Sequence, residues 1–547
     1  MKESSIPMIW NKHALFSIVL FLIAVVLGQD SPYLLLLTVA QVVYVPLTLQ
    51  MVATENDWFS RYYSYLSIPA SVSVILLPMT DQSGFEVFLA AIYLIFTLIV
   101  AGYGISRFLT RGFVRFEEFC IDVALINLHI GGMWFFAHIK NINTGFSPII
   151  TWLTAIHFHY AAFLLPIFIG LLGRIYKPPF YPLAAGILLL SPFILAIGIT
   201  FSVWIEWISV VFYIMGIYAF FFYSLKTPFK HRLQKWLIVC SFGSLGITIL
   251  FSFLYALGRL SNKFSLSIDF MLRFHGVLNC VIFALLGVIG WSVFVPSAKI
   301  EKWTFPISKI RGNLTIGEKI LPKITDRQAL DSYKGLVDKM EIYVPHLNLN
   351  TLSPTIRDFY ENTLDYRLYA KVKWKTWFIP FAVVYRLISS FVQQINLPLS
   401  SKSIEMTGDI VKINEDFDGR SSPRAWVRKI NNKVTFVALY SWHRTKKRTY
   451  MNIALPLPFS SMIGILELNQ IGHELTLSSK KQQPNSDAGI YLAWNKRLLL
   501  LPIEETFHVK ETGDGRLYAQ HNMWIFSIPF LNITYQIDRR NLEEPRK

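Results

Sequence analysis

The chain has 547 residues, of which 53% are hydrophobic and only 16% charged, with a net charge of +17 and a mean hydropathy of +0.41. Globular proteins carry about a quarter charged residues, so this composition excludes a wholly soluble chain. The charge is uneven: residues 1–298 hold 16 Lys/Arg and 11 Asp/Glu, and the rest hold 36 and 24. A pI near 9.5 in a soluble protein would suggest nucleic acid. Beside membrane segments, basic residues have the simpler use of facing anionic lipid headgroups, at about 1 kcal/mol each near the surface. No nucleic-acid partner is expected. Cys120, Cys240 and Cys280 lie in or beside apolar segments without C-x-x-C spacing, so no disulfide framework, zinc ribbon or covalent c-type haem is expected.

Along residues 1–298, ten segments approach the roughly 20 apolar residues that cross about 30 Å of hydrocarbon. They run over 13–29, 33–53, 64–79, 86–105, 119–139, 148–173, 180–200, 203–225, 236–258 and 270–296. The first follows Lys2 and Lys12 like a signal peptide. No small-x-small cleavage site follows it, and Gln29-Asp30 leads straight into the next apolar run, so a retained helix is expected. With the N-terminus inside, inner loops carry twelve Lys/Arg, from Lys2 to Lys235. Outer loops carry three, Lys140, Arg259 and Lys263. The positive-inside rule therefore predicts a cytoplasmic N-terminus and a cytoplasmic C-terminal domain.

Ionisable residues inside spans are costly and mark candidate sites. In the fifth segment Glu118, Asp122 and His129 share a helical face. In the sixth, His157 and His159 are two apart, so they point about 200° apart and cannot chelate one metal on a regular helix. The tenth carries Arg273, His275 and Asn279, with His275 and Asn279 one turn apart. Depth counting places His129, His157 or His159, and Asn279 near the midplane. Asp122, His129, His157, His159, Arg273, His275 and Asn279 are thus candidates for a proton relay or a polar substrate. If a haem or metal is bound, His129, His157 and His275 are its candidate ligands; an interhelical hydrogen-bond network is the structural alternative.

Residues 299–373 read as a mixed linker. Residues 374–395 form an apolar run broken by Arg386, Ser389, Ser390, Gln393 and Gln394 and flanked by Lys371, Lys373 and Lys375. This predicts an amphipathic helix lying in the membrane interface, in preference to an eleventh span. Residues 396–547 are β-rich. Runs at Ala425–Ile430, Val434–Trp442, Ile463–Leu468, Gly489–Trp494 and Met523–Ile537, with turn pairs at Asn431-Asn432, Asp418-Gly419 and Asp514-Gly515, predict an antiparallel sandwich or barrel. The expected fold class is a polytopic α-helical membrane bundle of about ten spans, followed by a cytosolic, mainly β domain.

The run from Met271 to Asn279, continuing to Gly290-Trp291, resembles the YndJ-like family of bacterial membrane proteins, as does His157-Phe158-His159-Tyr160-Ala161-Ala162. The stretches Phe359-Tyr360-Glu361, Tyr450 to Pro458 and Met523 to Phe526 look like the C-terminal domain of some members. The resemblance implies a multi-pass protein of a bacterial cell membrane. It supports the choice of His157, His159, Arg273, His275 and Asn279, and it assigns no chemistry to them.

Three functions fit this pattern. The first is a secondary transporter of a small molecule, using the midplane His/Asp groups and needing no cofactor. The second is a membrane redox or sensor protein with haem or metal between histidines. The third is a membrane anchor for a β domain that binds a lipid, peptide or small ligand. No Walker motif and no Gly-x-Ser-x-Gly elbow occurs, which argues against ATP-driven transport in cis and against a hydrolase. Partners follow as the lipid bilayer, its anionic headgroups and a small-molecule substrate, with oligomeric state open.

Overall fold

A computed structural model of the chain describes residues 12–26, 33–53, 57–80, 84–261, 264, 266–298, 303–325, 333–483, 485–495 and 497–540. Lys2, Gln29, Asp30 and Lys263, used above, lie outside them, as do 299–302 and 326–332 of the expected linker. Two compact units are present, one of Met1–Phe108 with Arg115–Ile300 and one of Leu109–Val114 with Glu301–Lys547.

The first unit is helical. Helix α1 (Lys12–Val26) is 15 residues long. Nine helices follow that are long and apolar enough to cross a membrane among the described residues. They are α2 (Leu34–Val52), α3 (Trp58–Met79), α4 (Phe85–Arg111), α5 (Phe116–Ile139), α6 (Pro148–Ile175), α7 (Tyr181–Phe201), α8 (Val203–Lys226), α9 (Arg232–Ser261) and α10 (Ile268–Val293). Each expected segment has its helix. The two spans with the most buried windows, α2 and α6, widen into π-turns at Ala40–Tyr44 and Tyr160–Leu164. Pro46 and Pro166 stand two residues beyond these turns. A proline lacks the N–H for the i→i−4 bond and crowds that carbonyl; a wider turn absorbs the misfit. α10 widens twice without proline, at Met271–Gly276 and Asn279–Leu285.

One face of this bundle is locked by charge. Arg107 of α4 donates from Nε to Asp122 (2.8 Å) and from Nη2 to Glu118 (3.0 Å), both on α5, and from Nη1 to the Val52 carbonyl ending α2. Arg174 of α6 grips both Glu118 oxygens at 2.6 and 2.9 Å and the Pro296 carbonyl at 2.9 Å. Lys177 reaches Glu117 at 2.9 Å. Arg107, Arg174, Glu118 and Asp122 are all buried, where each charge needs its counterion. The ends of α2, α4, α6 and α10 and the start of α5 therefore share one face, as alternating spans require.

The second unit is a closed antiparallel barrel. Its strands are β1 (Tyr366–Trp374), β2 (Ser403–Lys412), β3 (Ser421–Ile430), β4 (Lys433–Thr445), β5 (Arg448–Leu457), β6 (Ser460–Ile471), β7 (Glu474–Ser478), β8 (Gly489–Trp494), β9 (Arg497–Leu500), β10 (Ile503–Glu511), β11 (Leu517–Ile525) and β12 (Ile528–Arg539). The ring runs β5-β4-β3-β2-β1-β12-β11-β10-β7-β6 and closes by β6 pairing with β5, with β8 and β9 added on β6. Closure removes the exposed edges that a sandwich would leave. Period-two alternation sends Leu368, Trp426, Leu466 and Val509 inward. The segment 333–365, with helix α11 (Pro354–Glu361), fills one end with Met340, Tyr343, Phe359 and Tyr360. The segment 303–325 packs Phe305, Ile310 and Ile316 on the outer face with Val427, Leu439 and Ile463.

Two features differ from the sequence expectation. The run Met523–Ile537 is two strands, broken at Phe526-Ser527, whose φ angles of 49° and 62° make a tight hairpin without Gly or Asn. Strand β1 lies within the segment read as linker, with Leu368, Ala370 and Val372 alternating against Arg367, Lys371 and Lys373. The expected turn at Asn431-Asn432 joins β3 to β4 with φ of 48° and 59°.

A buried pair ties the outer segment to the barrel. Arg420 binds Asp418 bidentately at 2.6 and 3.0 Å, both side chains at 0% exposure. Asp418 also accepts from Ser308 at 2.8 Å. Arg420 donates to Asn452 Oδ1 at 2.8 Å, which turns Asn452 Nδ2 toward the Pro306 carbonyl (2.8 Å) and His443 Nδ1 (3.2 Å). His443 Nδ1 is thereby an acceptor, and Nε2 donates to Asp487 at 3.3 Å.

Candidate functional site

A cavity of about 370 Å³ lies in the helical unit, between α6, α7, α8, α9 and α10, with Leu36 of α2 and Trp134 of α5 at its edge. That is within the size range of small-molecule sites. Its walls are mainly aliphatic and aromatic. Its lining runs from Glu206 in the first turn of α8 and Arg259 in the last turn of α9 to Phe283, midway along α10. Those first two residues lie at the bundle face opposite the charge network.

His157, His275 and Asn279 come together in this cavity. His157 Nδ1 donates to the Leu153 carbonyl of its own helix at 3.0 Å. That leaves Nε2 as an acceptor, on a ring exposed to the cavity. His275 belongs to a closed hydrogen-bond ring. Thr248 Oγ1 donates to Asn279 Oδ1 (2.7 Å), Asn279 Nδ2 donates to His275 Nε2 (3.1 Å), and His275 Nδ1 donates to the Thr248 carbonyl (3.0 Å). This pattern requires neutral His275 with its proton on Nδ1. It pins α10 to α9 and engages both ring nitrogens.

The other candidates lie elsewhere. His159 is fully buried, donating from Nδ1 to the Ala155 carbonyl at 2.8 Å and pairing through Nε2 with Tyr93 at 2.7 Å. Gly131 of α5 lies under its ring, where a Cβ would come within 2.7 Å of His159 Nδ1. His129 is half-buried, and its Nδ1 bonds the Ile126 carbonyl of its own helix. Asp122 serves the charge network. Arg273 is exposed and pairs with Asp269 at 2.9 Å. Among the described residues no group of three or more His, Cys, Asp or Glu is placed to hold a metal.

Residues outside the candidate set complete the cavity; Glu206, which its place near the outer end of the eighth segment would leave partly hydrated, is among them. Glu206 is 2% exposed and accepts from Arg259 Nη1 at 2.6 Å, placing an ion pair at one end of it. Thr248, Ser252 and Tyr255 of α9 add hydroxyls. At the other end the π-turns meet. Tyr44 donates to the Cys280 carbonyl (2.9 Å), and Tyr160 donates to the Leu36 carbonyl (2.7 Å) beside Cys280 Sγ (3.0 Å). Wide turns free main-chain carbonyls, and these tyrosines satisfy them. The proline spacing in α2 and α6 was the available signal for these turns, and α10 offered none.

The sequence model of the family described as YndJ-like protein matches residues 35–283, which includes all of the cavity lining. The chain is similar to the protein called "Uncharacterized membrane protein YndJ" from Bacillus subtilis (strain 168), with 37% identity over 480 residues, covering 86% of this chain and 87% of that protein. No solved structure matches the chain. With similarity that extends over both the helical bundle and the barrel, the chain belongs to the YndJ-like family of multi-pass membrane proteins.

Proposed function

We propose that this protein is a secondary carrier of a small, largely apolar molecule with one hydrogen-bonding end, in a bacterial cell membrane with both termini in the cytoplasm. The cavity between α6 and α10 carries this reading: about 370 Å³ of mostly apolar wall, with His157 Nε2 presented as an acceptor. The excess of basic residues on the network face supports reading that face as the cytoplasmic one. The Glu206–Arg259 end of the cavity then faces outward, and the Arg107–Glu118–Arg174 network lies at the inner face of the bundle. π-turns in three spans around the site provide the non-regular backbone on which carriers build binding sites. A cofactor reading has less support, because both nitrogens of His275 are occupied within the protein.

The experiment is mass spectrometry of small molecules retained by the purified protein, compared with Ala196→Trp, which places an indole at the cavity wall. The proposal expects an amphipathic molecule that is retained by the wild type and depleted at least tenfold in the variant. Equal retention, or none, counts against a cavity ligand.

A further inference from the structure

Helix α12 (Ile379–Val392) is amphipathic in an inverted sense. Two of its polar side chains turn inward, while Ser390 stays exposed: Arg386 donates to the Asn396 and Leu397 carbonyls at 2.7 and 3.0 Å, and Ser389 is 1% exposed. Its apolar side chains turn outward, with Phe381, Leu387 and Phe391 at 61%, 70% and 66% exposure. A helix of a globular domain hides this face. Cost alone makes the pattern informative, since exposed Leu and Phe side chains forgo the burial that stabilises a folded domain.

The strand register places more of the same surface at this end of the barrel. β1 delivers the chain to α12 at Trp374. Because β12 pairs Leu531 with Trp374, the β11–β12 turn lies at that end too. The alternation of antiparallel neighbours puts the β3–β4 and β5–β6 turns there as well. The tips carry Phe459 at 62% exposure, and Phe526 and Ile528 at 54% and 52%.

Charge completes the pattern. Residues 371–404, 430–434, 457–461 and 524–534 at this end hold Lys371, Lys373, Lys375, Arg386, Lys402 and Lys433 and no Asp or Glu; the adjoining strand ends add Arg497 after the β8–β9 turn and Glu504 opposite Trp524. The turns at the opposite end mix acids with bases, Glu474, Glu511 and Asp514 with Lys446, Lys447 and Arg516. Exposed apolar side chains ringed by lysines match a bilayer interface, with the rings at the acyl boundary and the ammonium groups among anionic headgroups. The chain's own spans supply that bilayer.

We infer that the α12 end of the barrel is a lipid-docking face made of α12 and the β5–β6 and β11–β12 hairpin tips, which holds the barrel against anionic headgroups of the membrane its bundle spans. The face is independent of the cavity and of any carrier activity.

The test places an environment-sensitive fluorophore on single cysteines introduced as Leu387→Cys, Phe459→Cys and Phe526→Cys, with Gly513→Cys at the opposite end as control. The background is Cys240→Ser; Cys120 and Cys280 are buried. Full-length protein goes into nanodiscs of phosphatidylglycerol and phosphatidylcholine, with and without doxyl-labelled lipid. The expected result is at least twofold quenching by doxyl lipid at 387, 459 and 526 and none at 513. Quenching at 387 alone overturns the three-part face. Fluorophores shielded from water but unquenched by lipid, with disulfide cross-links between chains, show a second copy as the occupant and overturn the proposal. Equal quenching with only neutral lipid present removes the role of the lysines.

Discussion

The buried Arg420–Asp418 pair is the residue with the most at stake in the barrel. Removing one member leaves the other charged and without water, a loss of about 3–5 kcal/mol. Arg420→Ala is therefore expected to raise hydrogen exchange in peptides from β3, β4 and β5 by at least a hundredfold in full-length protein, and unchanged exchange there would contradict the pairing. Asp487 offers a pH handle. Burial acts to raise its pKa, but hydrogen bonds from His443 and Thr445, with Lys481 nearby, outweigh it and hold the carboxyl below its ordinary value. A depressed carboxylate contributes stability that is complete above its unfolded pKa of about 3.9. That contribution is lost as pH falls through the lower folded pKa. The melting gap between wild type and Asp487→Asn should be largest near neutral pH and narrow below about pH 4. A gap that widens on acidification would reverse the sign. At this scale the sequence showed which spans carry polar groups, and His157, His275 and Asn279 do meet. It could not show that His159 is consumed by Tyr93 and Gly131, or Asp122 by Arg107, because those partners stand on other helices.

Elements were legible where one physical rule dominates. Hydropathy alone located the spans, since bilayer thickness sets a length that little else imitates. Strands were found where alternation met Asn or Gly turns, as at β3–β4. They were missed where polar residues crowd the outer face, as in β1, or where the turn used Phe526 and Ser527. Close packing of α6 on α10 depends on Gly287, whose absent side chain admits the ring of Phe168. Gly287→Val should lower stability by about 1–3 kcal/mol through overpacking. This is read as a drop in melting temperature in detergent, with Gly102→Val, where a Cβ meets nothing within 4 Å, falling less. An equal fall in both would show that the contact at Gly287 is not special.

For the whole molecule, the Glu206–Arg259 end of the cavity lies at one face of the bundle and the charge network at the other. The cavity was not visible in the sequence. It is the space left by five helices, and its Glu206–Arg259 pair spans residues 53 apart. Glu118→Gln removes the carboxylate that Arg174 grips, while Arg107 keeps Asp122, at a cost of about 3–5 kcal/mol. The variant should lose thermal stability in detergent and admit thiol reagents to the cavity from the cytoplasmic side; full retention of both properties would argue against a lock.

The most direct measurement is labelling of His157→Cys, in the Cys240→Ser background, by a membrane-impermeant thiol reagent applied separately to each face of oriented vesicles. An outward-facing carrier is expected to label fast from the outer face and little from the cytoplasmic face. Labelling only from the cytoplasmic face, or none from either, would contradict this expectation.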